Sequence, residues 1–201
     1  KTALSWLHKL RAAMVRPDRE PLGPFAQVDE TLVGGKGSPH KELVLVAAEA
    51  DGRVRLAHAD NNDEGTLKSF ADSQIAANAQ VVTDGLASYN SASLGERPHQ
   101  AIVQTKAERR ESDALQGCHW TTSLLKRWLL GTHAGAVRPK HLQAYLDEFA
   151  FRHNRRKTNG VGRIAARVIE QLVARGPLTM RKLIDETPRC RWFTSGQYAL
   201  P

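Results

Sequence analysis

A chain of 201 residues, 41% hydrophobic and 25% charged, can bury one substantial core, which excludes a disordered chain. No apolar run approaches the roughly 20 residues needed to cross a bilayer, and KTALSWLHKL carries charges throughout, unlike a signal peptide. Two cysteines without a CxxC exclude a zinc ribbon within these residues and favour a reducing compartment; the net charge of +8 points to an anionic partner.

The first residues, ALSWLHKLRAAMV, form an amphipathic helix. The sequence opens without Met on a residue that already reads helical, which implies further sequence before Lys1. Pro17, Pro21, Gly23 and Pro24 break the helix into a linker. PFAQVDETLV then reads as a strand closed by Gly34-Gly35. KELVLVAAEA is a second strand, and Asp51-Gly52 turns it into a third, RVRLAHA, so the three make an antiparallel meander.

Residues 63–78 carry helix-start signals and an apolar stripe at Leu67, Phe70, Ala71 and Ile75. AQVVTDG is a short buried strand ending at Asp84-Gly85, and AIVQT is another. From about Ala114 the chain turns helical, with breaks at Gly131–Gly135, Pro139, Gly160 and Gly176-Pro177. The order β-β-β-α-β-(loop)-β-α-α-α, helical only from about Ala114 after the last strand, matches the ribonuclease H-like α/β fold: a mixed sheet of about five strands flanked by helices, here with a basic helical C-terminal extension. The expected organisation is the end of an N-terminal helical module over 1–20, the sheet domain over 21–158 and the basic tail over 159–201.

Charge is unevenly spread. Residues 1–151 carry 18 Lys or Arg against 18 Asp or Glu, whereas 152–191 carry 11 against 3. That asymmetry predicts a polyanion-binding face in the C-terminal part, where Arg152, Asn154, Arg155, Arg156 and Lys157 cluster in FRHNRRK.

In such a sheet Asp29, in mid-strand, and Asp84, where AQVV leaves the sheet, meet at the carboxyl-side edge. Paired carboxylates of this kind hold Mg²⁺ or Mn²⁺ together with substrate phosphates. Two ions about 4 Å apart can activate an attacking oxygen and stabilise a leaving one. Taken alone, Asp84 reads better as an ordinary turn residue before Gly85. His119 and Lys126, seven residues apart, share one helix face, and Lys126 opens the basic pair Lys126-Arg127 suited to a DNA phosphate. Trp120, Leu124, Leu125, Leu129 and Leu130 are expected to form the buried side of that helix. Cys118 is a poor candidate nucleophile, because it and His119 point apart on a helix. Glu111 and Asp113 are alternative third carboxylates.

VDETLVGGKG, VVTDG, HWTTSLLKRWLLGTH and KHLQAYLDEFAFRHNRR together resemble a family of prokaryotic, ISXO-like insertion-sequence transposases of the DDE type. The resemblance runs from about Ala3 to Ile184, and YLDEFAFRHNRR is its specific part. It implies a catalytic set of two aspartates, a third residue that is Glu, Asn or His, and a lysine seven positions later. These fall on Asp29, Asp84, His119 and Lys126. The first three are then the metal ligands, and Lys126 positions a phosphate. The implied activity is cleavage at element ends that frees a 3′-hydroxyl, then attack of that hydroxyl on target DNA. It needs two divalent ions, Mg²⁺ or Mn²⁺, with Mn²⁺ favoured by an imidazole ligand. The implied setting is the bacterial cytoplasm, at the nucleoid, with element ends and target DNA as partners and at least a homodimer on DNA. The family's N-terminal zinc-ribbon module is not in these residues, and Leu32 stands where the family often has Tyr. A catalytically inactive DNA-binding remnant and a ribonuclease H-like nuclease remain alternatives.

Overall fold

A computed structural model of the chain describes residues 2–16, 18–35, 41–49, 52–135, 138–179 and 181. Pro17, Asp51, Cys190 and the tail from 182 onward, part of the expected basic extension, lie outside the described residues.

The elements run α1 (Thr2–Ala13), β1 (Phe25–Val33), β2 (Glu42–Glu49), β3 (Val54–Ala59), α2 (Glu64–Gln74), β4 (Gln80–Thr83), α3 (Ser91–Leu94), β5 (His99–Ala101), α4 (Lys106–Glu111), α5 (Gln116–His133), α6 (Pro139–Asn154) and α7 (Val161–Ala174). They form one five-stranded sheet in the order β3-β2-β1-β4-β5. The first three strands pair antiparallel, and β4 and β5 run parallel to β1. This is the ribonuclease H-like arrangement that the sequence predicts.

Strand alternation explains the layers. Ala26, Val28, Leu45 and Ala57 pack with Leu67 and Phe70 of α2 and Leu94 of α3 on one face. Val33, Val44, Val46 and Leu56 pack with Leu125 of α5 and Leu142 and Leu146 of α6 on the other. Helix α2 starts where Asp63 accepts from the Thr66 amide at 2.8 Å. It stops at Gln74, short of the expected 78, because Ile75 bridges in parallel to Leu22. Helix α1 docks on α6 through the buried pair Arg11–Glu148, 2.7 Å apart.

Three expectations differ from the structure. The last strand is His99–Ala101, which shares only Ala101 with the expected AIVQT, and Val103 is exposed. The short helices α3 and α4 replace expected loop; α4 begins on a capping box in which Thr105 and Glu108 bond each other's backbone amides. On α5 the buried face is Cys118, Thr121, Leu125 and Leu129, with Trp120 and Leu130 each 64% exposed. Those four positions recur near 100° per residue along one stripe, whereas Trp120 and Leu130 fall well off it.

Candidate active site

Asp29 projects from the middle of β1 toward α5, on the same strand face as Gln27. Parallel pairing matches Gln27 with Val82, and Asp84 follows two residues later, just past the end of β4, where it lines the same cleft as Asp29. Just past β4, Gly85 adopts φ +86° and turns the chain off the sheet. The Leu86 amide donates to Asp84 Oδ1 at 3.1 Å, fixing the carboxylate at the rim.

His119 arrives from the first turn of α5. That helix has no side-chain cap of its own; Gln27 supplies one from the sheet, its Oε1 accepting from the amides of Gly117 at 2.8 Å and Cys118 at 3.3 Å. Gly117 permits this approach, since a Cβ there would stand 2.7 Å from Gln27 Oε1. Two residues beyond the clasp on each element, Asp29 Oδ2 and His119 Nε2 face each other at 3.5 Å. On its other side the imidazole meets Asp113, with Nδ1 and Oδ2 2.6 Å apart. An ionised carboxylate can accept only, so Nδ1 carries a proton toward Asp113, and Nε2 faces Asp29.

A cleft of about 250 Å³ over this junction is lined by Asp29, Glu30, Asp84, Ile102, Gln104, Arg109, Leu115 and His119. Burial pushes the Asp29 carboxyl up, and the Asp84 charge adds to this against the Glu30 amide, His119 and Arg109. Burial, with the Asp84 and Asp29 charges, also raises Glu30. Its carboxylate accepts from Tyr89 Oη at 2.7 Å. The cleft is thus a half-buried concentration of negative charge.

Among the described residues no group of three His, Cys, Asp or Glu side chains stands close enough to enclose one ion. The donor pair nonetheless suits a shared cation: neighbouring ligands at bond lengths of about 2.1 Å stand about 3 Å apart, close to the 3.5 Å observed.

Of the residues singled out from sequence, Asp29, Asp84 and His119 come together at this cleft. Lys126 and Arg127 are exposed two turns further along α5. Asp113 orients His119, and Glu111 is exposed outside the cleft. Cys118 is fully buried against the Val46 carbonyl, and burial raises its thiol pKa, which removes it as a nucleophile. Around the end of α6, Asn154 spends its amide on the Val54 backbone, accepting from N at 2.8 Å and donating to O at 3.0 Å. Arg152 pairs with Glu148, and Arg156 donates to the Gly52 carbonyl at 2.9 Å. Arg155 lies on the Phe151 ring at 3.8 Å, and Lys157 is exposed. Sequence reading missed Glu30, Gln104 and Arg109. The Thr105–Glu108 capping box, legible as TKAE, was the available signal for the segment that brings Arg109 in.

Residues 16–154 match the family model of the ISXO2-like transposase domain. Among solved structures, one chain of an assembly described as the simian T-cell lymphotropic virus intasome with PP2A regulatory subunit B56 gamma is similar at 16% identity, with a TM-score of 0.42. The match covers 67% of this chain and 50% of that one, so this chain spans half the length of that relative. No curated protein matches.

Proposed function

Because the chain belongs to the family of ISXO2-like transposase domains, we propose that the cleft over β1 and β4 cuts DNA at the ends of a mobile element and joins the freed ends to target DNA. The observation that supports this best is the approach of Asp29 and His119 beside Asp84, with Asp113 holding the imidazole so that Nε2 faces the carboxylate.

Asp29, Asp84 and His119 would hold Mg²⁺ or Mn²⁺, which when bound lowers the cost of forming the attacking and leaving oxyanions of a phosphodiester. The chain's own groups do the positioning. Asp29 and Asp84, fixed by strand register and by the Leu86 amide, concentrate negative charge where a cation is needed. Asp113 keeps the proton on Nδ1, so His119 offers Nε2 as a donor atom. Arg109 stands at the rim, where its guanidinium can meet a phosphate oxygen. Lys126 and Arg127 extend that contact along α5 to neighbouring phosphates. Arg152, Arg155, Arg156 and Lys157 extend the basic surface around the end of α6, where Asn154 anchors the helix to β3. Joining two element ends calls for at least two copies on DNA.

The test is Mn²⁺ titration with paramagnetic broadening of His119 resonances, on the native chain and on Asp29→Ala and Asp84→Ala. Loss of His119 broadening in both variants is the expected result. Broadening that is diffuse and unchanged in both would overturn the assignment. With a DNA substrate, Asp29→Ala should abolish strand cleavage and leave DNA affinity almost unchanged. Strand-transfer products separate a transposase from a simple nuclease, which makes none.

A further inference from the structure

A second and larger cavity, of about 470 Å³, opens at the outer edge of β3 between the ends of α1 and α6 and the start of α7. It shares no lining residue with the catalytic cleft. Seven of its fifteen lining residues are arginines, against two acids, Glu20 and Asp147. They converge from separate parts of the chain: Arg16 after α1, Arg19 before β1, Arg55 on β3, Arg155 after α6, and Arg163 and Arg167 one turn apart on α7.

Arg16, Arg163 and Arg167 are exposed, whereas Arg55 is buried and Arg155 half-buried among them. Arg55 is 7% exposed. Its two Nη atoms donate to the carbonyls of Val54 at 3.2 Å and Glu20 at 2.8 Å, while buried Nε has no hydrogen-bond partner. Burial and then the charges of Arg19, Arg53 and Arg16 pull Arg55 down to about 10, with Glu49 opposing. Arg155 is lowered by burial, Arg16 and Arg167. Arg53 pairs with Glu49 and Glu20, and Arg167 with Glu170, yet the arginines of the lining still outnumber these acids, an excess that an anion with several acceptor oxygens offsets.

The anion is a phosphate rather than a whole nucleoside. The cavity offers no open ring for a base, because Arg155 already lies over Phe151 at 3.8 Å. Arg163 and Arg167 continue the charge along the outside of α7, as a run of phosphates requires. Arg55 shares a cross-strand row with Ala47 and Val28, and Val28 and Asp29 point to opposite faces of β1. The pocket therefore lies at the β3 edge of the sheet, two strands away from the carboxylate junction. We propose that it binds the backbone phosphates of a DNA segment distinct from the one lying over Asp29 and Asp84. This rests on the transposase reading and adds a second place on the protein for the DNA that such a reaction must bring together.

The experiment measures affinity for a fluorescent duplex of arbitrary sequence across a KCl series, and thermal shift with inorganic tripolyphosphate. The chains compared are the native one and the triple variant Arg16→Gln/Arg163→Gln/Arg167→Gln. All three positions are exposed, so the fold should persist, and an unchanged melting temperature without ligand checks it. The expected result is a fall of about 2 to 3 in the slope of log K against log[salt], since each phosphate that the variant no longer neutralises removes about 0.9, together with loss of the tripolyphosphate shift. Duplex binding with an unchanged slope overturns the proposal while leaving the catalytic reading intact. A tripolyphosphate shift that the variant loses without any change in duplex binding assigns the pocket to a free polyphosphate and overturns the DNA assignment. A native chain that binds no duplex at all sinks both readings.

Discussion

Replacing Asp113 with alanine removes the acceptor that holds His119 Nδ1 at 2.6 Å and leaves Asp29, Asp84 and the imidazole in place. In the native chain the carboxylate keeps the proton on Nδ1 and stops the ring from turning about its χ2 axis. Without it both tautomers and both ring orientations become available, and only part of the population presents Nε2 to Asp29. A carboxylate behind a metal-ligating histidine is worth about 10- to 100-fold in affinity, or about 1.4 to 2.7 kcal/mol. Asp113 also accepts from the Leu115 amide at 3.0 Å, and without this bond at the entrance to α5 the same ring is held less firmly still. Mn²⁺ affinity should therefore fall at least 10-fold in Asp113→Ala, measured by calorimetry or by the free-Mn²⁺ EPR signal, and Asp113→Asn should recover part of it. If Asp113→Ala binds Mn²⁺ as tightly as the native chain while Asp29→Ala binds none, His119 is not a ligand and the carboxylates act alone.

Gly117→Ala pushes a methyl to 2.7 Å from Gln27 Oε1 and 3.2 Å from Ala48 Cβ; it should cost about 1 to 3 kcal/mol in urea unfolding, whereas Gly131→Ala, with nothing within 4 Å, should not destabilise. Arg11→Ala leaves Glu148 buried with Arg152 as its remaining partner and should cost about 3 kcal/mol; a change below the error of denaturant melts would mean that α1 is not docked as described. His8 is pulled from 6.5 to about 4 by burial, then by His141, Arg11 and Lys140, so the unfolded chain binds more protons between those values. Stability is therefore complete above about pH 6.5 and lost as pH falls toward 4, by about 3 kcal/mol at most from His8; His8→Gln should flatten the profile, and an unchanged slope would assign it to other groups.

The strands and the two aspartates were legible because their information is local. FAQVDETLV alternates, and QVVT is a short apolar run ending in a turn, so each aspartate has a defined place before any tertiary contact is known. The face of α5 was not legible in the same way. Its leucines and tryptophans look like core by type, yet the stripe that packs on the sheet is set by Cys118, Thr121 and Leu125, and Thr121 carries no apolar signal. Strand β5 was placed two residues too far along the chain, over AIVQT, for a related reason. All of His99–Ala101 is exposed, and the strand exists through backbone pairing with β4, which leaves no mark on side-chain pattern. Asp113 was read as a spare carboxylate because its partner depends on how α4 and α5 join, a geometry that no spacing rule contains.

A straight helix also works as a ruler. At about 1.5 Å of rise per residue, the seven positions from His119 to Lys126 span about 10.5 Å, equal to about three nucleotides at 3.4 Å along a DNA strand. Under the proposed strand-cleaving role, that length would set, in rigid units, how far from the reacting bond the lysine touches the backbone. Inserting one residue between them would change that length by about 1.5 Å and swing the ammonium through about 100°. Substitutions inside the interval are absorbed, whereas a change in its length shifts both the reach and the direction of the ammonium at once.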